Sequence, residues 1–329
     1  NYRSTTRDVQ RLIAELMAED VEGLVIDLRD NGGGSLQEAN QLTGLFIEYG
    51  PTVQIRSAES RMWRDGKRRR SNYYEGPLAV MINRLSASAS EIFAGAIQDY
   101  GRGIVVGEQS FGKGTVQSLV PLQEGQLKIT ESKFYRISGD STQHRGVVPD
   151  ILYPSLFDPE EIGESALDNA LAWDQIAPAR FNRYHDYGAI MPMLTTLHEK
   201  RAANDPDYLY LQDRVAIAQE ARTITALPLQ ESGRLAMRDD QESKALVIEN
   251  KRRVAKGLEP LESLSAAEQD EQGGDTESES AVTSTEMPDE TMADGGDEDV
   301  GDVLLMETGR ILVDAITLRP NTSVAGRAQ

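Results

Sequence analysis

Two short stretches of this 329-residue chain carry side chains that could make and break a bond together. The first is Ser86-Ala87-Ser88-Ala89-Ser90-Glu91, which stands where an apolar run gives way to a helical pattern. Ser88 followed three residues later by Glu91 is a capping box, the ordinary role for a serine at a helix start. The position is also chemically favourable, because a hydroxyl there lies beside unsatisfied backbone N–H groups and the positive end of the helix dipole. Among those donors the N–H of Ala89, the residue after the serine, could hold an oxyanion. A serine hydroxyl is a weak nucleophile and needs a base. Of the three histidines only His144 falls in the first half of the chain, in a polar Gln143-His144-Arg145 turn with no acid beside it, so a Ser-His-Asp triad is disfavoured. The other base is a lysine desolvated enough to lose its proton near neutrality. Lys113, 25 residues after Ser88, fits that need: it follows an apolar run, has Phe111 and Val116 nearby, and is flanked by Gly112 and Gly114. Those glycines let the backbone bend close to another segment.

Three other motifs bear on this chemistry. Gly107 with Gly112-Lys113 spells most of the phosphate-binding pattern G-x-x-x-x-G-K, but the next position is Gly114 where Ser or Thr should hold a metal ion. The stretch that follows is strand-like where a phosphate loop opens a helix, so nucleotide binding is disfavoured twice. Asp30-Asn31-Gly32-Gly33-Gly34-Ser35 is a second glycine-rich strand-to-helix turn. If it approaches Ser88, the Gly33 N–H is the second oxyanion donor, with Gly34 in reserve. Trp63–Arg70 is the only basic cluster, and its Asp65-Gly66 pair signals a solvated hairpin turn. It lacks the interleaved aromatics that stack on nucleic acid.

The elements that must position these groups follow from periodicity. Residues 7–18 carry apolar positions at helical spacing, 24–28 form a short apolar run, and 35–48 return to helical spacing. Residues 52–57, 77–82 and 103–108 read as strands, 88–100 as a helix, and 115–122 and 126–136 as strands. Strand and helix alternate to about residue 153, which predicts an α/β core. Beyond Pro154 the pattern is helical and polar, at 165–173, 193–201, 209–227 and 241–256. The expected organisation is a core over 1–154, a helical domain over 155–263, an acidic disordered linker over 264–302, and a helix and tail over 303–329.

Composition narrows the function classes. The formal charge is −20, yet residues 1–150 hold 18 Lys+Arg against 19 Asp+Glu, whereas 264–302 hold 14 acidic residues and no basic one. Acidity is therefore a segment property, and a net negative chain disfavours generic nucleic-acid binding. No apolar run reaches the roughly 20 residues of a membrane-spanning helix. The absence of cysteine removes thiol nucleophiles, cysteine-type zinc sites and disulfides. Beginning at Asn1 with no secretory pattern, the sequence reads as a fragment of something longer.

Taken together these pieces resemble the carboxy-terminal processing proteases, the tail-specific peptidase family that works with a Ser-Lys dyad, and its bacterial periplasmic branch in particular. The likeness is carried by Val25–Gly34, Asn83–Gly95, Gln98–Gly107, Phe111–Gln117 and Ser141–Ile151, in order and spacing. It implies a ClpP/crotonase-like β-spiral protease core followed by a mostly helical C-terminal domain, to which Ser165–Asp174 adds a weaker match. By residue it implies Ser88 as nucleophile, Lys113 as general base, Gln117 as the residue that orients the lysine, and Asp99 as an acid implicated in activity. Gly33 and Ala89 match the oxyanion-hole positions. The resemblance implies no metal, cofactor, nucleotide or nucleic acid. Its partners would be protein or peptide substrates with nonpolar C-termini and an envelope adaptor protein, at a periplasmic site or on the periplasmic side of the inner membrane. The family's PDZ domain, which recognises substrate tails, precedes the core and is expected outside these residues. Its loss leaves a second reading, a catalytically idle scaffold.

Overall fold

In the computed structural model, residues 4–59, 61–68, 70–71, 73–264 and 302–318 are described. Helix α1 (Thr5–Ala18) leads to β1 (Leu24–Asp27), α2 (Leu36–Thr43), β2 (Gly50–Ser57) and β3 (Met62–Lys67). β4 (Leu78–Ile82), α3 (Ala89–Asp99), β5 (Ile104–Gly107), β6 (Thr115–Pro121), β7 (Gln126–Tyr135) and β8 (Ile151–Leu152) follow. The rest of the regular structure is helical: α4 (Met191–Ala202), α5 (Pro206–Arg222), α6 (Glu231–Ala255) and α7 (Val303–Leu318).

The strands form two sheets. β1, β4, β5 and β8 pair in parallel in the order β1-β4-β5-β8, with Val80 opposite both Ile26 and Val105. Every residue of β4 and β5 is buried, which is why both read as unbroken apolar runs: a strand covered on two faces has no polar side to show. The second sheet is antiparallel, in the order β3-β2-β7-β6, with β6 at its edge. One core cluster joins Leu78, Val80 and Ile82 to Leu42 and Phe46 after β1, and to Phe93 and Ile97 of α3. The α/β core and the helical region after it agree with the expectation.

Three local expectations are corrected. The helix expected over 35–48 ends at Thr43, where the Gly44 N–H bonds back to the Asn40 carbonyl and the chain turns toward β2. Asp65-Gly66 is no hairpin tip but part of β3, where a Cβ on Gly66 would lie 2.5 Å from the Gly50 carbonyl oxygen. Residues 165–173 form no helix beyond a 3-10 turn at Glu164–Ala166. Tertiary bonds override propensity there: buried Arg84 holds the Ile162 carbonyl from Nε at 2.6 Å, and the Trp173 indole donates to the Ser141 carbonyl at 2.9 Å.

By contacts the chain divides into Asn1–Glu199 with Leu304–Gln329, and Lys200–Val303. Within the first of these units, bonds such as Tyr153 to Thr308 and His198 to Glu307 join α4 and α7 to the core strands. In the second unit α5 and α6 pair through Lys244–Glu220, Lys251–Asp213 and Arg252–Asp207, and α6 buries no residue. The acidic stretch expected as a linker lies, apart from its end residues, outside the described residues. No described helix is long and apolar enough to cross a membrane.

Candidate active site

Strand order brings the three motifs together. The glycine-rich turn follows β1, the SASASE turn follows β4 and the FGKG loop follows β5, and these strands are neighbours in one parallel sheet. All three loops therefore emerge at the same carboxyl edge, where open α/β sheets place their ligand sites.

Hydrogen bonds fasten the first two loops. The Asn83 side chain accepts from the Asp30 N–H at 2.9 Å and donates to the Asp30 carboxylate at 2.8 Å. Ser86 Oγ donates to the Leu28 carbonyl at 2.7 Å, and the Ala87 N–H to the Asn31 carbonyl at 3.0 Å. Gly33, at φ +94°, lies directly on the serine turn: a Cβ there would sit 2.5 Å from the Ala87 oxygen and 2.7 Å from the Ala89 nitrogen. Only glycine allows that approach.

Ser88 itself sits at φ 57°, ψ −112°. That conformation costs a non-glycine residue roughly 1–3 kcal/mol. The α/β-hydrolase fold uses such a strained strand-to-helix turn to expose a nucleophilic serine. An ordinary N-cap adopts extended backbone, as Ser4 and Ser35 do here, so capping alone does not account for Ser88.

The third loop is tied to the serine by Glu91, which is fully buried. Its Oε2 accepts from the Ser88 N–H at 2.7 Å and the Lys113 N–H at 3.0 Å. Its Oε1 accepts from Ser110 Oγ at 2.6 Å and the Gly112 N–H at 2.7 Å. Burial pushes the Glu91 carboxyl up to about 7, against the pull of these four donors. The sequence flagged Glu91 only as half of a cap; nothing local says that a loop 20 residues away closes on it.

Four of the expected site residues thus come together: Gly33, Ser88, Ala89 and Lys113. Ser88 and Lys113 are half-buried, and Ser88 Oγ and Lys113 Nζ are not hydrogen-bonded to each other. The Lys113 amine has no hydrogen bond or ion pair among the described residues. Catalytic hydrogen bonds often tighten only with substrate bound. The Ala89 N–H has no partner among the described residues, whereas the Gly33 N–H donates to Asn31 Oδ1 at 3.0 Å. Beside these two amides opens a cavity of about 320 Å³, with Leu28, Ala39, Leu42 and Phe93 among its lining.

Two expected residues stay apart. Gln117 is exposed on β6, with its amide donating to Thr130 Oγ1 at 3.4 Å. Asp99 ends α3, eleven residues and so about 16 Å from Ser88, where it pairs with Arg136, Nε to Oδ2 at 3.2 Å. His144 packs its backbone on Gly112, but its Nε2 is buried without a partner among the described residues. After Lys113 the chain enters strand β6, which removes the helix a phosphate loop needs.

Comparison with known proteins adds the following. The model of peptidase family S41 matches residues 1–153, and that of the C-terminal domain of tail specific protease matches residues 157–317. The chain is 41% identical over 275 residues to a tail-specific protease of Haemophilus influenzae, covering 80% of this chain and 40% of the relative. It is 40% identical over 154 residues to a carboxy-terminal-processing protease of Bartonella bacilliformis, covering 46% of this chain and 35% of the relative. Among solved structures, the photosystem II D1 C-terminal processing protease aligns at 33% identity and a TM-score of 0.41, over 47% of this chain and 40% of that one. The chain spans well under half the length of these relatives.

Proposed function

The chain belongs to peptidase family S41, and we propose that it is the catalytic part of a tail-specific serine endopeptidase whose chemistry runs on Ser88 and Lys113, within a peptidase core over residues 1–154. The observation that carries this reading is the junction of the three loops, where Gly33 lies on the Ser88 turn and the Ser88 and Lys113 amides share one carboxylate oxygen.

The mechanism follows from the groups present. Lys113 as a neutral amine takes the Ser88 proton while Oγ attacks the carbonyl carbon of a peptide bond. The developing oxyanion receives the Ala89 N–H and, once it displaces Asn31 Oδ1, the Gly33 N–H. The Lys113 ammonium returns its proton to the departing amine, leaving an acyl ester on Ser88. Water, deprotonated by Lys113, then hydrolyses the ester and restores the serine. The cavity of about 320 Å³ beside the oxyanion donors holds an apolar substrate side chain. Gln117 orients the lysine after leaving Thr130, and Asp99 holds α3 from its far end through Arg136. An idle scaffold would gain nothing from a serine held at φ 57°.

In this reading the substrates are proteins with nonpolar C-termini, delivered by an envelope adaptor, and the enzyme works in the periplasm or on the periplasmic face of the inner membrane. The likeness to a tail-specific protease of Haemophilus influenzae supports the tail-specific part of this reading. The test compares wild type with Ser88→Ala on an unstructured protein such as β-casein, following cleavage by mass spectrometry. Wild type cleaves and the variant, equally folded, does not; cleavage by Ser88→Ala at the wild-type rate sinks the assignment.

A further inference from the structure

We propose that Glu91 is the positioning residue that sets nucleophile against base, one carboxylate oxygen serving as the common anchor of the Ser88 and Lys113 backbones. The inference rests on the Ser-Lys reading and adds a residue that this reading leaves unused. The two catalytic residues sit on loops after different strands, β4 and β5, so their spacing depends on what joins those loops. Oε2 does so directly, through the Ser88 and Lys113 N–H groups. Oε1 holds the same loop by Ser110 and Gly112, so the base cannot pivot about a single bond. A helix cap explains one of these four bonds.

The charge of Glu91 is what makes the anchor work. An ionised carboxylate is an acceptor only and satisfies four donors; a protonated one turns a donor toward groups that are themselves donors. Arg84 feels this charge through space but makes no hydrogen bond to it, spending its donors on the Ile162, Ser110 and Pro159 carbonyls. The other titratable groups facing this junction are Lys113 and Glu108 on the β5 loop and His144 behind Gly112. With its carboxyl raised by burial, Glu91 releases the two backbones as the medium turns acidic.

The experiment follows the backbone amide resonances of Ser88 and Lys113 in the 15N-labelled protein from about pH 5 to about pH 9, alongside kcat and KM for peptide hydrolysis. The two amides are expected to shift together with one midpoint, in wild type and in His144→Asn alike. In Glu91→Gln the shared transition disappears and kcat falls about 100-fold, with KM within about threefold. Glu91→Asp, one methylene shorter, does not restore the rate. A folded Glu91→Gln with wild-type kcat, or separate midpoints for the two amides, overturns the anchor. If Glu91→Gln does not fold, Ser110→Ala decides: losing one donor raises the shared midpoint, and an unmoved midpoint overturns the proposal. Hydrolysis that survives Ser88→Ala overturns the dyad instead, so the two failures are told apart.

Discussion

Helix α3 carries a buried carboxylate at each end, and the two are held in opposite ways. At its C-terminus Asp99 meets the Arg136 guanidinium, with the Ser138 N–H adding a bond at 3.3 Å. At its N-terminus Glu91 accepts hydrogen bonds from four neutral donors and, among the described residues, none from a cation. A charge paired with a charge is locked, and losing either partner strands the other. A charge held only by dipoles is placed just as firmly but can be switched off by a proton. The difference separates an end that supports the helix from the end where the proposed chemistry takes place.

The largest effect expected from this comparison is at the chemical end. Ser88→Ala removes the proposed nucleophile and should lower kcat by at least about 10⁴-fold with little change in stability, since alanine suits a helix start poorly only by the value of a cap. Lys113→Ala should match it, and Lys113→His should not rescue it because the imidazole has a different reach. Steady-state hydrolysis beside a thermal melt checks both.

At the supporting end the loss should appear in stability. Asp99→Ala leaves Arg136, whose side chain is 15% exposed, without its partner, and should cost about 3–5 kcal/mol. Hydrolysis per folded molecule should persist below the melting temperature. A variant that is fully folded yet inactive would break the comparison and give Asp99 a direct part in the reaction.

Next comes the pH dependence of stability. The Glu91 carboxyl is about 7 when folded against an ordinary value of 4.5. Because the folded value is the higher, its contribution is fully present below the ordinary value and lost as pH rises through about 7. The gap corresponds to roughly 3 kcal/mol. Denaturant melts should therefore show wild type losing roughly that much relative to Glu91→Gln between acid and mildly alkaline conditions. A flat difference across that range would mean that Glu91 is not held as a buried, uncompensated acid.

Much of this geometry was legible because β1, β4 and β5 are apolar runs that each end in a distinctive turn. Ser88, Gly33, Ala89 and Lys113 could be named from residue types alone. That β1 and β5 flank β4 could not, since strand order is decided by long-range packing and leaves no local mark. Glu91 hid behind its i, i+3 spacing to Ser88, which a cap explains without reference to the β5 loop. Residues 165–173 misled for a related reason: their helical spacing is real, but bonds from Arg84 to Ile162 and from Trp173 to Ser141 fasten both ends of the segment to the core. Asp65-Gly66 misled because the glycine serves close strand pairing, not a tip.

The smallest expected effect concerns Gln117, whose proposed role as the lysine's guide requires it to leave Thr130. The two are cross-strand partners, and the ladder irregularity beside them places the extra residue, Glu131, on β7. β6 therefore alternates without interruption, which keeps Gln117 on the face of Thr115, toward the start of the strand where Lys113 lies. The bond it must give up is long and exposed, at 3.4 Å, so releasing it costs well under about 1 kcal/mol. Thr130→Val deletes the acceptor while keeping a residue that suits a strand. Stability should move by less than about 0.5 kcal/mol, and kcat should hold or rise by up to about threefold as the freed amide spends more time on the lysine. Gln117→Ala should lower kcat at an unchanged melting temperature. Should Thr130→Val lower kcat as well, the cross-strand pair would itself be the working arrangement, and Gln117 would act by stiffening β6 behind the base.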